Sequence, residues 1–144
     1  MSRVLGVVLA LLGSVGSGVA DEKEGGDNTE YLGNWRQVAV VIDGKDTPVS
    51  RAVLMTVTRE GYAVMIDGQP YQKGKARSAG DESLRRTDLV IVEGTRAGET
   101  VPQITKVEGD VMIGCQAKLG GDRPTEFTSK VGSGRILSMW LRVN

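Results

Sequence analysis

The chain has 144 residues, with 18 Lys and Arg against 18 Asp and Glu, no His, one Cys and 4% aromatics, a size that supports one domain at most. Without His there is no Ser-His-Asp or Cys-His relay and no His-ligated metal, and a single Cys rules out an intramolecular disulfide or a Cys-rich zinc site. Zero net charge and two Trp, three Tyr and one Phe leave neither the basic footprint nor the stacking platform of a nucleic-acid binder.

The N-terminus comes first in chain order. Arg3 precedes an apolar run, Val4 to Leu12, and small residues follow as far as Gly18-Val19-Ala20, the three-part layout of a secretory signal peptide. The run is shorter than the roughly 20 residues of a transmembrane helix, and a short uncleaved anchor is the alternative. No Cys follows it, which argues against a lipid-anchored lipoprotein. Residues 1–20 are therefore expected to be removed near Ala20, giving an exported chain, periplasmic or extracellular, with no integral membrane segment. Residues 21–30, DEKEGGDNTE, hold too little apolar surface to offset the entropy of ordering them and read as a flexible acidic leader. Residues 31–144 form the single domain.

Within that domain short β-rich runs alternate with Gly-containing turns, and no stretch keeps apolar residues at helical spacing over three turns. Trp35 to Ile42 is the first run, closed by Asp43-Gly44, a pair suited to the positive φ angles of a tight turn. Ala52 to Thr58 turns at Glu60-Gly61 into Tyr62 to Ile66, which turns at Asp67-Gly68. Tyr71 to Arg77, Leu84 to Val92, Val101 to Val107, Val111 to Ala117 and Arg135 to Val143 complete eight expected strands. The fold class is all-β. Eight strands joined mostly by hairpin-length links suit an up-and-down antiparallel barrel, which leaves no edge exposed; a sandwich of two small sheets gives the same period-two pattern. Val38 to Ile42 is apolar at every position and does not alternate.

The segments Leu32-Gly33-Asn34-Trp35, Val41-Ile42-Asp43-Gly44-Lys45, Arg123-Pro124-Thr125-Glu126-Phe127 and the final Leu141-Arg142 resemble a family of secreted, functionally uncharacterised domains abundant in planctomycete bacteria. The resemblance spans Tyr31 to Asn144 and is weakest between Lys73 and Val101. It implies a lipocalin-like barrel in which Trp35, entered past Gly33, plugs one end while Arg142 lies across the indole as a cation-π partner.

The connection from Arg123 to Gly134 has two readings. In one, Arg123 and Arg135 form an anion-binding pair at the barrel mouth. In the other, Arg123 and Glu126 anchor the loop by a salt bridge, Pro124 sets its direction and Phe127 packs on the core. Asp88, inside an apolar run, requires a partner such as Arg86. Cys115 shares a face with Val111, Ile113 and Ala117 and reads as a buried, inert thiol. Gly132-Ser133-Gly134 lacks the Lys and helix of a phosphate loop.

No pair of a nucleophile and a base is legible, so an enzyme is not expected, nor is a cofactor or metal. The expected function is binding. A small apolar or amphipathic ligand would lie against Val53, Met55, Val64, Ile66 and Ile113, entering opposite the Trp35 end past residues 43–51, 67–70, 93–100 and 118–134, with Arg123 or Arg135 near an acidic head group. The alternative is a filled barrel that acts as an interaction or inhibitor module through its loops, and the sequence names no protein partner.

Overall fold

Two Asp-Gly pairs set the first corners of the chain. Asp43 and Asp67 stand at φ 49° and 52°, followed by Gly44 and Gly68 at 80° and 78°, the double positive φ of a type I′ hairpin turn. A computed structural model of the chain describes residues 29–80 and 85–143. The expected signal peptide, most of the acidic leader and Leu84 at the start of the fifth expected strand lie outside the described residues.

A 3-10 turn, Thr29–Tyr31, leads into β1 (Gly33–Ile42), β2 (Lys45–Thr47), β3 (Val53–Val57), β4 (Tyr62–Ile66), β5 (Gln69–Gly80), β6 (Arg85–Glu93), β7 (Thr100–Glu108), β8 (Val111–Gln116) and β9 (Ile136–Val143). Apart from β2, successive strands pair antiparallel, and β9 returns to pair with β1. The sheet is thus an eight-stranded closed barrel, as expected, and the sandwich alternative is excluded by that closing ladder. The extra strand was not legible. The Asp43-Gly44 turn feeds β2 and not β3, because β2 pairs with Val40 to Ile42 and stops at Pro48, which has no N–H to continue the ladder.

The unbroken apolar run in β1 comes from a bulge. Arg142 faces Trp35 and Trp140 faces Gln37, but Met139 faces Ala39, so Val38 is an extra residue. The bulge switches the inward positions from odd to even, placing Val40 opposite the buried Ser138. Two registers of alternation overlap there and read as continuous apolarity.

One end of the barrel is sealed. Trp35 is fully buried and its Nε1 donates to Tyr31 O at 3.0 Å. The Arg142 guanidinium lies 4.3 Å from the indole centroid, and its two terminal nitrogens donate to Leu32 O and Glu30 O, both at 2.8 Å. Asp110 accepts from its Nε at 3.2 Å but is largely exposed, so that pair adds little. Gly33 stands at φ 123°, and a Cβ there would come within 3.3 Å of the guanidinium. Tyr31, Trp35 and Met112, backed by Met55, Val57, Val107 and Trp140, form the core cluster at this end.

The long connection after β8 is packed on the outside of the wall. Ile104 and Cys115 point away from the interior yet are 1% and 0% exposed, because this connection covers them. The Cys115 thiol donates to Thr128 O at 3.3 Å, Pro124 is fully buried and Lys106 Nζ lies 5.2 Å from the Phe127 ring centroid. At the far end of the loop, Asp43 Oδ1 accepts from Gly132 N and Gly134 N at 2.9 and 2.8 Å. A Cβ on Gly44 would fall 2.4 Å from Val131 N, so only glycine lets the loop pass that turn. Arg123 pairs with Asp88, not with Glu126, which is exposed; Asp88 accordingly takes its partner from the loop and not from Arg86.

Two outcomes follow from these contacts. Trp35→Ala is expected to cost about 3–5 kcal/mol and Arg142→Ala about 1.5–3 kcal/mol, and a double-mutant cycle by urea unfolding should show coupling of about 0.5–2 kcal/mol. Burial pushes the Cys115 thiol above its ordinary range, so thiol reagents at pH 8 should label the folded chain far more slowly than the denatured one. Arg123→Ala should accelerate that labelling, and Asp88→Asn should do so less, since two carbonyl contacts of Arg123 survive.

Candidate functional site

The closed wall leaves a cavity of about 260 Å³. It borders the core cluster, where Met55, Val57, Met112 and Trp140 supply its apolar side. Its other side comes from β6, β7, β8 and β9, which present Thr87, Gln103, Thr105, Gln116 and Ser138 inward. These positions follow strand alternation: Thr87 opposes Gln103, Gln103 opposes Gln116, and Thr105 opposes Gly114, which opposes Ser138.

Most of the polar wall is internally bonded. Thr87 and Thr105 share a hydroxyl contact of 3.5 Å, and Thr105 Oγ1 donates to Tyr31 Oη at 3.4 Å. Gln37 Nε2 donates to Ser138 Oγ at 3.4 Å, and Gln72 Nε2 donates to Tyr62 Oη at 3.0 Å. Gly74 makes room for that ring, because a Cβ there would come within 3.0 Å of the Tyr62 hydroxyl and 2.3 Å of Val90 O. Arg85 is 3% exposed and its guanidinium lies 5.2 Å from the Tyr31 ring centroid. Among the lining residues Arg59 alone carries a full charge, and it is exposed on the turn between β3 and β4.

Met55 is the one expected ligand residue that lines this cavity. Val53, Val64 and Ile66 share its face, since Val53 opposes Ile66 and Met55 opposes Val64, but they are not among the residues that line the cavity. Ile113 is corrected to the outer face: Met112, Gly114 and Gln116 point inward, and the apolar face carrying Ile113 and Cys115 is the one turned toward the loop. Arg123 is also outside. Its Nη1 donates to Thr87 O at 2.9 Å and Gln103 O at 3.0 Å, so it serves as a loop anchor and does not meet Arg135 in an anion site at a mouth.

The cavity does not lie at the expected mouth: no residue of 43–51, 67–70, 93–100 or 118–134 lines it, whereas Leu32, Thr58, Arg59 and Gly61 do, all from the end where β1 begins, beside the core cluster that seals it. The reasoning from sequence missed Gln103, Gln116, Thr87, Thr105 and Ser138; the available signal was the spacing of two of them, Gln103 and Thr105, two residues apart in one run.

Among the described residues no group of His, Cys, Asp and Glu comes together that could hold a metal ion. Neither a scan of protein-family models nor searches of curated proteins and of solved structures gives a match to this chain.

Both cavity phenols are raised in pKa, Tyr31 by burial against the opposing pull of Thr105 and Arg85, and Tyr62 by burial against Gln72. A phenol raised in the folded state holds its proton more tightly there than in the unfolded chain. Its contribution to stability is therefore complete below the ordinary phenol range near ~10 and is lost as pH rises through the raised value. Absorbance titration should show two late-ionising phenols, and Tyr62→Phe should remove one of them.

Proposed function

We propose that this chain is an exported binding protein that takes one small molecule into the interior of its barrel without transforming it. The observation that carries the reading is the cavity of about 260 Å³ within the barrel wall, in a fold whose eight-stranded form has room for one small ligand. The cavity size favours a compact ligand over a long acyl chain. Tyr31, Tyr62 and Trp140, with Gln and Thr side chains, join the aliphatic residues Leu32, Val57 and Leu89 in the lining, so hydrogen bonding and ring contacts both contribute to selection.

Absence of turnover is supported by composition and placement. The chain has no His, and its one thiol, on Cys115, is directed to Thr128 on the outer wall. Export rests on the signal-peptide pattern of residues 1–20 and is consistent with the resemblance to the planctomycete family. Among the described residues no helix is long and apolar enough to cross a membrane.

A second reading, the interaction module, is favoured by Leu119 and Val131, which are 71% and 80% exposed on the outer connection. One experiment separates the two. Toluene and indole titrated against the purified chain, followed by ligand-observed NMR, are expected to bind saturably, and Met55→Trp should abolish the signal while leaving the circular dichroism spectrum and Tm intact. Absence of saturable binding would favour the loop surface.

A further inference from the structure

We infer that the cavity selects an uncharged, planar molecule carrying an amide-type donor and acceptor side by side, such as a lactam or cyclic imide, through the side-chain amides of Gln103 and Gln116. This rests on the small-molecule reading and specifies its ligand.

Gln103 on β7 and Gln116 on β8 are Cα partners and both line the cavity. Residues directly opposite on an antiparallel pair hold their Cβ atoms ~4.5–5.5 Å apart, so the two amides share one patch of wall. Gln103 is only 9% exposed. Its amide makes no hydrogen bond to any described residue, and neither does that of Gln116, although every other polar side chain of this inner layer named above is bonded within the protein. Both amides are open to the cavity and take no protein partner, so their hydrogen-bonding capacity is left for whatever occupies it.

The chemistry of what would satisfy it follows from the donor count. Each Gln offers two N–H donors and one carbonyl acceptor in a plane. A ligand with an N–H next to a C=O pairs with one such amide through two hydrogen bonds, and a second C=O or N–H reaches its neighbour. A carboxylate matches this patch less well, because it has no donor for the Gln carbonyls. Among the lining residues Arg59 alone is charged and it is exposed at the turn, while the buried Arg85 guanidinium stands against the Tyr31 ring, 5.2 Å from its centroid. Planarity suits the Trp140, Tyr31 and Tyr62 rings and the adaptable Met55 and Met112 side chains that complete the lining.

Two further features hold the patch ready. Arg123 fixes the backbone beneath it from outside by bonding the carbonyls of Gln103 and Thr87. Gly114 leaves open the space beside the amide: a Cβ there would stand 4.0 Å from Gln103 Oε1 and meet Thr105 Cγ2 at an ordinary 3.6 Å.

The test compares 2-pyridone, toluene and benzoate as probes, titrated calorimetrically into the purified chain and into Gln103→Leu, Gln116→Leu and Gly114→Ala. 2-Pyridone should bind at least roughly ten-fold more tightly than toluene, and each Leu variant should erase most of that preference while keeping toluene binding. The Tm of Gln103→Leu should hold or rise, because an unpartnered amide has been replaced by a similar apolar volume. Should Gln103→Leu fail to fold, Gln116→Leu and Gly114→Ala carry the comparison. Toluene binding as tightly as 2-pyridone, a preference for benzoate, or 2-pyridone affinity indifferent to the Leu variants overturns the inference and leaves the cavity reading standing. No saturable binding of any probe overturns both.

Discussion

The structure depends on the ladder that joins its first and last strands. Residues 34–42 of β1 and 136–143 of β9 pair across the full length of the domain, and without that pairing the sheet would have two open edges and no interior. The same ladder places Arg142 directly opposite Trp35, so the guanidinium covers the indole as a consequence of closure. Because Arg142 also bonds the carbonyls of Glu30 and Leu32, the segment leading into β1 is tied to the strand that ends the chain. Closing the barrel, sealing its end and fixing the chain's approach are one event, which explains why the core cluster of Tyr31, Trp35 and Met112 is found there.

The local pieces of this arrangement were readable from the residues. Asp43-Gly44 and Asp67-Gly68 announce their turn type because few residues besides glycine accept the φ values observed at Gly44 and Gly68, and eight of the strands lie within a few residues of the runs that predict them. What local pattern does not encode is pairing between strands a hundred residues apart; strand number and short links favoured the barrel, and the β9–β1 ladder is what excludes the sandwich. Lys45–Thr47 escaped because three polar residues before a proline carry no periodic signal, although they pair well with Val40 to Ile42.

The interior was less legible, and Ile113 shows why. Apolar alternation identifies the buried face of a strand only when the other face meets water. In β8 both faces are covered: Met112, Gly114 and Gln116 face the cavity while Ile113 and Cys115 face the side packed by the outer connection. The more apolar face is the outer one, so hydrophobicity points the wrong way through the wall. The same inversion holds in β7, where Ile104 is outside and Gln103 and Thr105 are inside. A chain that packs a loop on the exterior of a barrel can afford polar groups on the interior, because its apolar burial is divided between two layers.

Arg123 links those layers. It anchors the outer connection through Asp88 and at the same time bonds the backbone carbonyls of Thr87 and Gln103, whose side chains face the opposite way into the cavity. One rung of the β6–β7 ladder, Thr87 opposite Gln103, is thereby held from the dry side while both side chains stay turned inward. The anchor that fixes the outer connection therefore also fixes the strand backbone from which the inner polar side chains project. The loop that looked like a binding surface in the sequence acts, through Arg123, as the support for a wall whose inner face carries Thr87, Gln103 and Thr105.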